Sequence, residues 1–171
     1  LISGEIVGAE ALVRWQHPCR GLIRPDLFIA LAEENGHIAD LGRFVLERAL
    51  ACQAQWMQQT GREIVMAVNV SSLQLHDTQF IPFVERLLRQ HALPPRLLDL
   101  EITESRSIEL FEQAPETVAQ LHRLGIGLSI DDFGTGDSSL SYLRHLPARK
   151  LKIDRSFIER VPAEQYDADL A

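Results

Sequence analysis

Ile64-Val65-Met66-Ala67-Val68-Asn69-Val70 runs apolar almost without a break and is rich in β-branched residues. A strand with one face in water alternates polar and apolar residues, so a continuous run of this kind predicts a strand covered on both faces. Working toward the C-terminus, three further stretches read the same way: Leu97 to Ile102, Ile126 to Ile130, and Lys150 to Ile153. Toward the N-terminus, Ile6 to Trp15 reads as one strand, ended by Pro18 and Gly21. Ahead of it, Leu1-Ile2-Ser3-Gly4-Glu5-Ile6-Val7 looks like a hairpin whose turn is Ser3-Gly4.

Helical spacing fills the gaps between these strands. Pro25 suits a first helical position, and Leu27, Phe28, Leu31 and Ala32 carry a short helix to about Asn35-Gly36. A longer helix runs from Asp40 to near Thr60-Gly61, with Leu41, Phe44, Val45, Leu46, Leu50 and Trp56 on its apolar side. Phe80 to Gln90 is predicted helical until Pro94-Pro95, and Thr117 to Leu124 until Gly125; a short helix is expected around Ser139 to Leu143. Strand and helix alternate, which implies parallel strands joined by right-handed crossovers, as an open sheet or as a closed barrel. Periodicity does not separate the two.

With 171 residues, 46% of them hydrophobic, the chain is expected to form one domain over residues 1–171. A net charge of −7 and a pI near 5.3 argue against a surface that wraps duplex nucleic acid, which needs a dense Lys/Arg footprint. A small phosphate ligand remains compatible, because a divalent cation can supply the missing positive charge. Cys19 and Cys52 fit neither a zinc site nor a disulfide framework and read as thiols in a reducing compartment. No stretch is long and apolar enough to span a membrane and no leader is visible, so a soluble, cytoplasmic protein is expected.

The strands carry acids where a buried strand should have none. Glu10 lies in the first, Asn69 near the end of the second, Glu101 near the end of the third, Asp131 and Asp132 just past the fourth, and Lys152 in the fifth. An isolated buried carboxylate is costly unless paired or bound to a cation. The C-terminal ends of parallel strands are where ligands gather in open sheets and barrels alike. Four carboxylates and a carboxamide converging there make an all-oxygen donor set suited to Mg²⁺ or Mn²⁺. Two such cations about 4 Å apart could share Asp131, activate a water and stabilise a phosphodiester under in-line attack. Lys152 would stabilise phosphate charge or orient that water. Plainer roles exist for each residue alone: a cap or loop partner for Asp132, a strand-end amide for Asn69, the start of the helix after the third strand for Glu104, an ion-pair partner for Lys152. Recurrence on strand after strand favours the functional reading. Asp131-Asp132-Phe133-Gly134-Thr135-Gly136 adds a glycine-bearing loop able to bring backbone donors to a ligand or partner.

These residues resemble a known family. Glu10-Ala11-Leu12 with Val13-Arg14-Trp15 and His17-Pro18 is similar to the signature of EAL-domain phosphodiesterases. Asn69-Val70-Ser71, Leu100-Glu101-Ile102-Thr103-Glu104, Asp131-Asp132-Phe133-Gly134-Thr135-Gly136 and Leu151-Lys152-Ile153-Asp154 resemble its later motifs in order and spacing. The resemblance implies a modified TIM-like (βα)8 barrel with one antiparallel strand, incomplete in this chain, and hydrolysis of cyclic-di-GMP to linear pGpG. It implies metal binding by Glu10, Asn69, Glu101 and Asp131, with Asp131 and Asp132 at a second ion, and Mg²⁺ or Mn²⁺ as cofactors. Glu10, Asp131 and Lys152 would be catalytic; Leu12, Arg14 and Asp154 would face substrate; Glu104 would brace the loop after Asp132. That loop, Gly134 to Ser139, implies a homodimer. A parent protein with sensor or cyclase domains, anchored to a membrane through some other domain if at all, is also implied. Asp137 stands where the family commonly has an aromatic residue, and the family's first strand and last two βα units have no counterpart here. The competing expectation is a relative that binds cyclic-di-GMP without cutting it, or a protein-interaction scaffold.

Overall fold

The computed structural model describes residues 4–134 and 148–156. Its frame is a five-stranded sheet of β1 (Gly8–Ala11), β4 (Val65–Asn69), β5 (Leu98–Thr103), β6 (Gly127–Phe133) and β7 (Lys150–Ile153), adjacent in that order. Every pairing in this sheet is parallel, and the sheet curls into half of a barrel. The alternating helices are α1 (Pro25–Glu34), α2 (Ile38–Thr60), α4 (Phe80–Gln90), α5 (Glu104–Gln113) and α6 (Pro115–Leu124).

Side chains alternate across a strand, so each strand delivers one row to each face. Met66 and Val68 of β4, Leu98, Leu100 and Ile102 of β5, and Leu128 of β6 all point to one face and are buried. Against them pack Leu46, Leu50 and Ala54 of α2, Val84, Leu87 and Leu88 of α4, and Val118 and Leu121 of α6. The other row is polar: Asp99, Glu101, Ser129, Asp131, Lys150 and Lys152 share the inner face of the curl. β4 was expected to be covered on both faces; instead its second row, Val65, Ala67 and Asn69, stays partly exposed because the polar lining lies there in place of a second apolar layer.

Local chemistry sets the ends of the helices. Pro25 and Pro115 open α1 and α6 at their first turn. α2 closes at Gly61, whose φ of 66° is a left-handed conformation that costs glycine nothing, and its N–H donates to Met57 O at 2.8 Å. Gln53, fully buried on α2, donates to Ile64 O (2.7 Å) and Leu97 O (2.9 Å), tying that helix to the entrances of β4 and β5.

Several elements differ from their sequence expectation. The single strand expected over Ile6 to Trp15 is two: β1, and a separate β2 (Trp15–His17) that pairs antiparallel with β3 (Gly21–Ile23). The His17 ring nitrogen Nδ1 accepts from the backbone N–H groups of Cys19 and Arg20, which closes this hairpin, and Trp15 sets its ring edge-on to Phe28 of α1 at 5.7 Å. Gly4 to Val7 form no strand, and the rest of the expected hairpin, like the helix near Ser139 to Leu143, lies outside the described residues. The short α3 (Ser72–Leu75), a 3-10 turn (Pro95–Leu97) and the extent of α5 were not anticipated. α3 is held by a reciprocal cap between Ser71 and Gln74. Gln74 in turn lies so close to Gly42 of α2 that a Cβ there would fall 1.7 Å from its Nε2.

Candidate metal centre

Register brings the acids together. Glu10 lies across from Ala67, Asn69 from Glu101, and Thr103 from Asp131, so the polar groups step forward by two residues from β1 to β4 and again from β5 to β6, near the C-terminal ends of the strands. At β6 the ladder slips: Ile130 faces Leu151, while Phe133 faces Ile153, so Asp131 and Asp132 together oppose Lys152. This is a β-bulge, a device that re-aims side chains beside functional sites. Asp132 takes a φ of 54°, a left-handed conformation that aspartate tolerates better than most residues.

Oxygens of Glu10, Glu101 and Asp131 all lie within 4.8 Å of one another. Lys152 Nζ sits among them, 2.8 Å from Glu101 Oε2, 3.1 Å from Asp131 Oδ2 and 3.4 Å from Glu10 Oε2. The Asn69 amide donates to Glu10 Oε1 at 2.8 Å, which places the carboxamide against the same carboxylate. Glu101 is almost wholly buried, whereas Glu10 and Asp131 keep part of their surface in water.

Three carboxylates against one ammonium leave negative charge in excess. Burial pushes the Glu101 carboxyl above the usual range, the Lys152 ammonium pulls it back, and Glu10 and Asp131 push it up again. Asp132 is also raised, by burial first and then by the charges of Asp131 and Asp154. Burial lowers the Lys152 pKa, but its hydrogen bonds to Glu101 and Asp131 outweigh that, and it ends above the usual lysine value. Lys152 is therefore a permanent cation near neutral pH. Carboxylates that repel one another, arranged so that several oxygens meet at a point, fit a hard divalent cation, and all the donors are oxygens. Glu10, Glu101 and Asp131 are the residues whose geometry could hold it, with Asn69 beside them.

A cleft of about 420 Å³ opens next to these groups. Its lining includes Asn69 and Glu101, Leu12 and Arg14, and the apolar Ile29 and Leu41. Arg14 donates to the adjacent Val13 O (2.8 Å) and lines the cleft, apart from the three-carboxylate group. Asp154 accepts from Ser156 N at 2.8 Å, and hydrogen bonding from the Ser156 side chain first and its backbone second lowers the Asp154 pKa; it follows β7 and does not join the three-carboxylate group. Asp132 likewise lies beside that group, not in it. Glu104, buried at the first position of α5, accepts from Gly134 N at 2.8 Å and so ties α5 to the start of the loop after Asp132. The rest of that loop, with Asp137, lies outside the described residues.

Two groups escaped the sequence reading. Glu33 of α1 accepts from the Ser71 hydroxyl and lies 4.0 Å from Arg106, and all three line the cleft. A buried Asp99 binds Ser129 and Lys150 one layer below the acids. The first links residues far apart in sequence and left no local signal, but the second repeats the Glu101 and Lys152 pattern at a spacing of two, which strand periodicity could have exposed.

The family model described as EAL domain matches residues 1–171. The bifunctional diguanylate cyclase/cyclic di-GMP phosphodiesterase MucR of Pseudomonas aeruginosa is 42% identical over 166 residues, covering 97% of this chain and 24% of MucR. The cyclic di-GMP phosphodiesterase NbdA of the same organism is 44% identical over 172 residues, 100% of this chain and 22% of NbdA. The chain thus spans about a quarter of the length of these curated relatives. Among solved structures, a complex of the MucR phosphodiesterase with c-di-GMP superposes with a TM-score of 0.89 at 42% identity, covering 98% of this chain and 68% of that one. The FimX EAL domain of Pseudomonas aeruginosa bound to c-di-GMP gives a TM-score of 0.83 at 25% identity, covering 94% and 64%.

Proposed function

Because the chain belongs to the EAL domain family, we propose that it hydrolyses cyclic-di-GMP to linear pGpG at a divalent-metal centre. The observation that carries this reading is the meeting of Glu10, Glu101 and Asp131 around Lys152, with Glu101 also lining an open cleft. Support comes from relatives named as cyclic di-GMP phosphodiesterases and from a structural neighbour in complex with c-di-GMP.

Glu10, Asn69, Glu101 and Asp131 would hold one cation, and Asp131 with Asp132 a second; Mg²⁺ or Mn²⁺ suits the donors. When bound, the metals would supply a water acidic enough to give up a proton and become a nucleophile near neutral pH, and would offset charge on the phosphate oxygens. pGpG keeps its phosphate on the 5′ side, so the bond broken is from phosphorus to O3′. The water's oxygen joins phosphorus, and a proton ends on the departing O3′. Lys152, held positive by the acids it touches, orients the water or stabilises charge on the phosphate. Arg14 can swing from Val13 O to a phosphate oxygen, Leu12 packs against the substrate's apolar surface, and Asp154 contributes at the substrate's edge. Glu104 keeps the loop after Asp132 in place through Gly134.

In this reading residues 1–171 belong to one domain, and the intact protein carries sensor or cyclase domains and dimerises through the loop after Asp132. It works in the cytoplasm; no helix among the described residues is long and apolar enough to cross a membrane. The test is incubation of the intact protein with cyclic-di-GMP and Mg²⁺ beside Glu10→Ala, with pGpG quantified by chromatography. Loss of a residue supporting a metal ligand costs about 10–100-fold, so loss of a ligand should cost about a hundredfold or more. Tight binding of cyclic-di-GMP with no cleavage by either protein would replace the enzyme with a receptor.

A further inference from the structure

Below the metal centre, the same face of the sheet carries a second group built on the same plan. Asp99 is fully buried; Ser129 Oγ donates to its two oxygens at 2.8 and 2.9 Å, and Lys150 Nζ donates to Oδ2 at 2.9 Å. Lys150 reaches from β7 across β6 to β5, as Lys152 does two residues further on. The two lysines and the two acids are each separated by one strand repeat, so the lower clamp and the upper cluster lie in register.

β7 has only four residues and lies at one edge of the described sheet. Its neighbour bulges at Asp131 and Asp132, opposite Lys152, and a bulge loosens the ladder just where Lys152 must be aimed. Register slips are a hazard of short strands, and a slip of one residue turns each side chain to the other face. The last regular pairings before the bulge are Ser129 with Lys150 and Ile130 with Leu151. Lys150, the first residue of β7, is thus clamped one pairing before the irregularity. A buried carboxylate bonded on both oxygens is a rigid anchor, and Gly127 keeps room for it: a Cβ there would lie 2.6 Å from Asp99 Oδ1.

We propose that Lys150, bound to Asp99 and Ser129, is a positioning residue that fixes the register of β7 below the bulge and thereby holds Lys152 among the carboxylates. As a statement about turnover it rests on the hydrolytic reading above; as a statement about register it does not. Lys150 is the residue to vary, because its side chain is half-exposed, whereas Asp99 is buried and its variants risk the fold.

The experiment uses the intact protein and two readouts. Without substrate, hydrogen exchange of the β7 amides should quicken by about tenfold or more in Lys150→Met, recover in Lys150→Arg, and stay unchanged in β4. Unchanged exchange in β7 overturns the proposal whether or not the protein cleaves anything. With cyclic-di-GMP, Lys150→Met should lower kcat by about tenfold at a KM within about twofold of the parent, and the loss should vanish when the same change is made in a Lys152→Met background. An equal loss in that background would mean that Lys150 acts on its own or through stability alone, and would overturn the proposal. A parent that cleaves no cyclic-di-GMP would defeat the hydrolytic reading, and the exchange readout would still decide the register.

Discussion

Glu101 is nearly buried, bound to Lys152, and pressed by two other carboxylates, so its proton competes directly with any cation. Its folded pKa is raised above the ordinary carboxylate value of about 4.3. Between those two values the folded protein holds a proton that the unfolded chain has lost, so this group's contribution to stability is best at low pH and is lost as pH rises through the folded pKa. A bound cation reverses the balance by favouring the bare carboxylate. Mg²⁺ should therefore raise Tm more at neutral than at mildly acidic pH, and cation binding should release protons, detectable by calorimetry in buffers of different ionisation enthalpy. Equal Tm shifts at both pH values would count against Glu101 as a ligand. Lys152 adds no pH dependence there: its pKa is raised, so its stabilisation is complete below the ordinary lysine value and fades only as pH climbs through the folded one. At this scale the sequence was informative because an acid in an apolar strand is conspicuous. Glu10, Asn69, Glu101, Asp131 and Lys152 do meet, while Arg14 and Asp154 sit to the side. Asp99 and Lys150 were overlooked because each was read as part of a strand rather than as one of a pair.

Elements were legible where punctuation is strong. Pro25, Gly61 and Gly125 mark helix ends that the structure reproduces within a residue or two. The strand over Ile6 to Trp15 failed because Leu12 to Arg14 leave the sheet, a departure that apolar residues do not advertise, and α3 failed because its four residues are too few for any period. The contact of α3 with α2 makes a sharp prediction. Gly42→Ala would drive a Cβ into Gln74, which must leave its cap on Ser71. Loss of a cap plus local overpacking should cost about 1–3 kcal/mol, measured by chemical denaturation. Leu100→Ala, in the most buried strand, should cost about 2–5 kcal/mol by the same measurement. A change below about 0.5 kcal/mol would contradict the close contact of α3 with α2 in the first case and the packing of the sheet on its helices in the second.

For the molecule as a whole, alternation alone left an open sheet and a barrel equally open, since periodicity reports which residues face inward and not how strands curve. The polar row along the inner face resolves it: a doubly wound sheet buries both faces under helices, whereas here helices cover one face and the acids line the other. That division puts the carboxylates, the lysine and the cleft at one end of one surface, and the functional account stands or falls with their joint affinity for a cation. The direct measurement is calorimetric titration of Mn²⁺ into the intact protein and into Glu101→Gln, which keeps the shape of the side chain and removes its charge. Saturable binding by the parent, weakened about tenfold or more in the variant, is the expected result. Equal Mn²⁺ affinity in the two proteins would contradict it.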